Sequence, residues 1–123
     1  MKIYVDADAC PNVIKEILFR SAQRTGVATI FVANQYVKVP RFSNISCKVV
    51  SQGFDEADNW IVEQCHAGDL VISQDIPLAD QAISKGATVI SPKGVLFTHE
   101  NIKQRLTMRN FMEELRGAGE NIG

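Results

Sequence analysis

Apolar positions in this chain fall alternately into short continuous runs and into helically spaced sets. "KIYVD" (Lys2–Asp6) reads as a buried strand. From Pro11 to Arg24, Val13, Ile14, Ile17 and Leu18 recur at helical spacing, which predicts a helix with that group as its inward face. Pro11 suits its first turn and Gly26 its stop. "VATIFVA" (27–33) is continuously apolar, as in a strand covered on both faces. "ISCKVV" (45–50) predicts a third strand, and "SQGFDEADNWIVEQC" a helix opening near Asp55 or Glu56. "DLVIS" (69–73), "IPLADQAISK" (76–85) and "ATVIS" (87–91) predict strand, helix and strand, with Gly86 ending the helix. Thr98–Arg116 has a helical pattern. Ile102 and Leu106 point one way and Met108, Phe111, Met112 and Leu115 another, which predicts a break near Thr107 and two C-terminal helices.

Strands alternating with helices predict an α/β fold with one doubly wound parallel sheet of about five strands, in the order 3-2-1-4-5. A length of 123 residues predicts one domain over 1–123. The apolar share of 46% and charged share of 22% suit an ordinary globular protein. A formal charge of −1 exerts no general pull on nucleic acid or membrane, so a nucleic-acid partner must be met by a local patch. Cys10, Cys47 and Cys65 are odd in number and lack a C-x-x-C spacing, which argues against a disulfide framework or a zinc knuckle. No apolar run reaches membrane-spanning length. The expected setting is a reducing cytoplasm.

The predicted topology turns scattered acids into a cluster. In open α/β sheets the ligand crevice lies beyond the carboxyl ends of the strands, where strand order reverses. Asp6 ends the first strand, Asp8 follows it, and Asp75 comes two residues after the fourth. Asp55 and Asp58 are three apart at the start of a helix, hence on one face. Asp80 lies about a turn into the helix that follows Asp75. Divalent cations held by oxygen ligands are the usual way such a cluster is tolerated. Asp55 and Asp75 also stand where helix N-caps stand, and Asp80 suits a surface position. Asp6, at the end of a buried strand, has little structural use.

"VDADACP", "GFDEADNWIV", "GDLVISQDIPLA", "KGATVISPKG" and "MRNFMEELR" occur in that order along nearly the whole chain. In these strings the sequence resembles the YaiI/YqxD family of small bacterial proteins without an assigned role, a family similar to PIN-domain nucleases. That resemblance implies a first acid at Asp6, a second at Asp58 or Asp55, a third at Asp75, and Asp80 as a further candidate. Asp8 belongs to the family's own motif rather than to the PIN pattern. The implied activity is metal-dependent phosphodiester cleavage. Asp6, Asp58 and Asp75 would be its catalytic acids, with Mg²⁺ or Mn²⁺ held by these together with Asp8, Asp55 and Asp80.

An all-acid cleft repels phosphate, so the substrate must also be held from the side. "ANQYVKVPRFSN" (33–44) follows the second strand, and its Tyr36, Lys38, Arg41 and Phe42 interleave rings with cations, a pattern suited to single-stranded RNA. The alternative is that the two rings cover the sheet edge while the cations face solvent. Cys10 sits at a helix start, where a thiolate is favoured. The neighbouring Asp6 and Asp8 oppose that, so Cys10 reads as a packing residue. "VDADAC" also resembles the D-x-D motif of haloacid-dehalogenase-like phosphatases, with Asp6 as nucleophile and Asp8 as acid, but the remaining motifs match only loosely at Ser73 and Lys93. A receiver domain would need an Asp closing the third strand, which "CKVVSQGF" lacks. The expectation is a metal-dependent nuclease acting on RNA. A non-catalytic metal-dependent RNA-binding module and the phosphatase are its rivals.

Overall fold

The computed structural model describes residues 1–53 and 55–122, with side chains through 117. Strands β1 (Lys2–Asp6), β2 (Ala28–Ala33), β3 (Ile45–Val49), β4 (Leu70–Ile72), β5 (Thr88–Ile90) and β6 (Leu96–Phe97) alternate with four helices. These are α1 (Asn12–Thr25), α2 (Glu56–Gln64), α3 (Ile76–Ser84) and α4 (His99–Ile122), and a single 3-10 turn (Ala7–Ala9) follows β1. The sheet order is β3-β2-β1-β4-β5-β6. The first five strands are parallel, in the predicted order, and β6 adds an antiparallel edge by pairing with β5. Two residues carry no readable periodicity, so β6 was not expected. It forms because Gly94, at φ 88°, turns the chain back and Ser91 N–H donates to Val95 O at 2.9 Å.

Successive strand residues face opposite sides, and both sides are buried. Tyr4, Val32, Val71 and Val89 meet Ile61 of α2, Leu78 of α3 and Ile102 of α4. Val5, Phe31 and Ile72 meet α1. There the expected helix face is only half right. Ile14 and Leu18 pack inward, but Val13 and Ile17 are 70% and 48% exposed. Phe19 takes the centre instead, its ring 4.8 Å from that of Phe31, with Ala22 buried one turn later. The bulkiest side chain sets the rotation of the helix.

The predicted break near Thr107 is absent. α4 runs unbroken, burying Ile102 and part of Leu106, while Met108, Phe111, Met112 and Leu115 remain about half exposed. Two apolar faces with different surroundings had the appearance of two helices. All three cysteines are free thiols. Among the described residues, no helix is long and apolar enough to cross a membrane.

Candidate active site

Parallel strands deliver their carboxyl ends to one edge, and the acids collect there. Asp6 closes β1 with its side chain on the α2 and α3 side of the sheet, almost fully buried. Ser73, also buried, donates its hydroxyl to Asp6 Oδ2 at 3.0 Å from the end of the adjacent β4. Burial pushes the Asp6 carboxyl above its usual range. The Ser73 bond opposes that rise, and the charges of Asp75 and Asp8 add to it.

Asp75 is the N-cap of α3, its Oδ1 accepting from Leu78 N–H at 2.9 Å. Its own N–H donates to Ser73 Oγ at 3.0 Å, so one hydroxyl ties two acids together. Asp75 thus caps α3 and also lines the cavity that the other acids share. Asp55 differs. It occupies the N-cap position of α2 but makes no side-chain capping bond, and at φ 64° it is the one non-glycine residue with positive φ among the described residues. Left-handed backbone is tolerated by Asp at some cost and concentrates at functional sites. Asp58, in the first turn of α2, is half-buried. Its carboxyl is pushed up to about 7 by burial first, then by the charges of Asp75 and Asp6, by a hydrogen bond to Asp75, and by Asp55. Asp8, exposed on the 3-10 turn, accepts from Asn34 N–H at 2.8 Å and ties that turn to the end of β2.

Asp6, Asp8, Asp55, Asp58 and Asp75 thus line a single cavity of about 190 Å³ together with Asn34. A larger cleft of about 400 Å³, bounded by Lys48, Trp60 and Glu63 beyond the β3 edge, gathers no comparable set of acids. Asp80 is not brought to the site. Five positions along α3 from the Asp75 cap turn it about 140° away, and it pairs instead with Lys103 of α4 at 3.1 Å.

Only the start of the 33–44 segment stays with the acids. Thr29 pairs with Ile45, so the chain has returned to the opposite edge of the sheet by the start of β3. Arg41 and Phe42, just before that point, therefore lie roughly a strand length, about 15 Å, from the acid edge. Tyr36 and Phe42 are 70% and 48% exposed and do not cover the sheet. Cys10 is buried in the core under α1, its thiol pushed up by burial, which suits packing.

Two participants had no clear signal in the sequence. Ser73 stood only as a loose phosphatase match. Asn34 carries only its place directly after a buried strand, at the carboxyl end, as a signal. Its Oδ1 is buried and finds no hydrogen-bond partner among the described residues. Among the described residues, no three His, Cys, Asp or Glu side chains form a ready-made metal cage. The donor set nonetheless suits a hard cation in kind, since five mutually repelling carboxylates line the cavity beside the amide of Asn34.

Comparison with known proteins bears on the whole chain. No solved structure matches it. A UPF0178 protein of Thioalkalivibrio sulfidiphilus is 61% identical over 123 residues, covering all of this chain and 84% of that protein. Another from Saccharophagus degradans is 58% identical over 123 residues, covering 82% of its length. A third, from a Marinomonas species, is 56% identical with 83% covered. The model of the uncharacterised YaiI/YqxD family matches residues 4–123. The chain belongs to the YaiI/YqxD family.

Proposed function

We propose that this protein is a metal-dependent phosphodiesterase acting on single-stranded RNA. The observation that carries the reading is the convergence of five carboxylates, from two strand ends and α2, on one cavity that Asn34 also lines. Like charges at this density are held together at a cost, which a bound cation offsets. Asp6, Asp58 and Asp75 would hold Mg²⁺ or Mn²⁺, which would supply positive charge for an approaching phosphodiester and for its leaving oxygen.

The chain's own residues do the rest. Ser73 holds Asp6 and, through the Asp75 N–H, the start of α3 in one fixed arrangement. Leu78 N–H fixes one oxygen of Asp75 and leaves the other for the cavity. In the metal-free protein burial and the neighbouring acids push the Asp58 carboxyl up to about 7, so that near neutrality it carries a proton which a bound cation would displace. Asp8 and Asp55 extend the negative wall on which further cation contacts form.

A rival reading is a non-catalytic metal-dependent RNA-binding module, in which the same acids would hold a cation without cleavage. The phosphatase reading is weaker: among the described residues lining the acid cavity there is no lysine, and Lys93 lies in a separate groove beside α1. Single-stranded RNA incubated with Mg²⁺ or Mn²⁺ decides. Cleavage that is lost in Asp6→Asn supports the enzyme. RNA binding without cleavage on any strand tried favours the module, and hydrolysis confined to small phosphomonoesters favours the phosphatase.

A further inference from the structure

The unbroken course of α4 has a chemical consequence. Arg109 follows the buried Ile102 by seven residues and so lies on nearly the same helix face, turned toward α3. There it lines a cavity of about 180 Å³ that shares Asp55, Asp58 and Asp75 with the acid site and continues past them. Its far wall is of another character: Arg109 with the neutral donors Gln81 and Asn59, over an apolar floor that includes Leu78. Among the described residues lining these two cavities, Arg109 is the one cation. Its neighbours on α4 are engaged elsewhere, Lys103 with Asp80 and Arg105 over the Phe97 ring at 5.2 Å.

Arg109 has partners of its own, Glu113 Oε1 at 3.2 Å and Asn110 Oδ1 at 3.3 Å. The ion pair is half exposed and spans one turn of helix, a kind that contributes little and is readily exchanged. A guanidinium also offers a fork of donors that fits a phosphate better than a single point charge does. We propose that Arg109 is a positioning residue that binds the phosphate next to the one being cleaved, so that the preferred substrate is a strand with at least two consecutive phosphates. The inference rests on the phosphodiesterase reading and deepens it. The acids and their cation take the scissile phosphate, Arg109 with Gln81 and Asn59 takes its neighbour, and the apolar floor takes the sugar or base between them.

The test compares two substrates in Mn²⁺, a dinucleoside monophosphate with one phosphodiester and a trinucleoside diphosphate with two. The parent is expected to cleave the longer one with a kcat/KM at least tenfold higher. Arg109→Ala should erase that preference through KM, leave cleavage of the shorter substrate within about twofold, and leave the rise in Tm caused by Mn²⁺ unchanged. Arg109→Lys should keep part of the preference, because a point charge remains. The salt dependence of binding the longer substrate should flatten by the slope of about one phosphate contact in Arg109→Ala. A preference retained in full by Arg109→Ala overturns this inference and leaves the phosphodiesterase standing. Failure of the parent to cleave either substrate overturns both.

Discussion

The Ser73 hydroxyl reaches Asp6 Oδ2 at 3.0 Å across the β1–β4 seam, and both groups are buried. A lone carboxylate at that depth would be strongly disfavoured. Ser73 Oγ also accepts from Asp75 N–H, so the ends of two strands and the first turn of α3 are joined at one hydroxyl. Ser73→Ala should therefore do more than remove a hydroxyl. It strands a buried acceptor and a partly buried N–H, at a cost of about 1–3 kcal/mol in urea unfolding. It should also weaken Mn²⁺ binding by freeing Asp6 to turn. A variant as stable as the parent would mean that water replaces the hydroxyl without loss.

Asp75 separates capping from site chemistry. Asn caps a helix about as well as Asp, so Asp75→Asn keeps the bond to Leu78 N–H and removes only charge. In EDTA the variant should be as stable as the parent or more so, because Asp58 and Asp6 lose a repelling neighbour. With Mn²⁺ at a hundredfold excess over its Kd, the parent should gain about 2.7 kcal/mol and the variant much less. Urea unfolding of both proteins in EDTA and in Mn²⁺ reads the difference. Equal Mn²⁺ responses would remove Asp75 from the site.

The Asp58 carboxyl sets a pH dependence that can be measured without metal. Folded, it keeps its proton up to about pH 7; unfolded, only to about pH 4. Between those values the folded state binds the additional proton, so stability should fall as pH rises from about 4 to 7 and level off above. Asp69 acts in the opposite sense. Burial alone would raise its carboxyl, but hydrogen bonds from Lys2 and His66 N–H, with the N-terminal charge and His66, hold it below the usual range. Its contribution is complete above about pH 4 and is lost as the solution becomes more acid. Urea unfolding in EDTA should therefore show a decline from about pH 4 to pH 7 in the parent and a flatter profile in Asp58→Asn, with a remainder from the raised carboxyl of Asp6. A decline that persists undiminished in Asp58→Asn would assign the titration to another group.

What could be read from the sequence was whatever depends on local pattern plus one topological rule. The apolar runs and the βα alternation predicted the parallel sheet and its order, and that order alone sends Asp6 and Asp75 to a common edge. Asp80 escaped this logic because its direction depends on helical phase counted from a cap, not on the edge from which the helix starts. Arg41 and Phe42 escaped it because a segment that leaves one sheet edge must return to the other before a parallel strand can begin. Asn34 and Ser73 are small polar residues whose roles exist only through partners 26 and 67 positions away in the chain. Arg109 depended on α4 being continuous, and its two apolar faces hid that.

The return path of residues 33–44 makes a prediction that splits the segment. Asn34 lines the acid cavity, and Tyr36, two residues on, is 70% exposed and still close to that edge. Lys38 borders a hollow beside Asn12 and Lys15 at the start of α1, partway down the sheet. Arg41 and Phe42 precede β3 at the far edge. A strand cleaved among the acids can lie over Tyr36 and Lys38 without reaching Arg41. Tyr36→Ala should then weaken RNA binding by about 1–3 kcal/mol through lost stacking, and Lys38→Ala should flatten the salt dependence by about one phosphate contact. Arg41→Ala and Phe42→Ala should each leave binding of a short oligoribonucleotide within about twofold of the parent. Lengthening the RNA should restore sensitivity to Arg41 only when the strand can span the roughly 15 Å between the two edges. If Arg41→Ala impairs a trinucleotide as severely as Tyr36→Ala does, the strand runs down the sheet edge from its first contact, and the division at Lys38 is wrong.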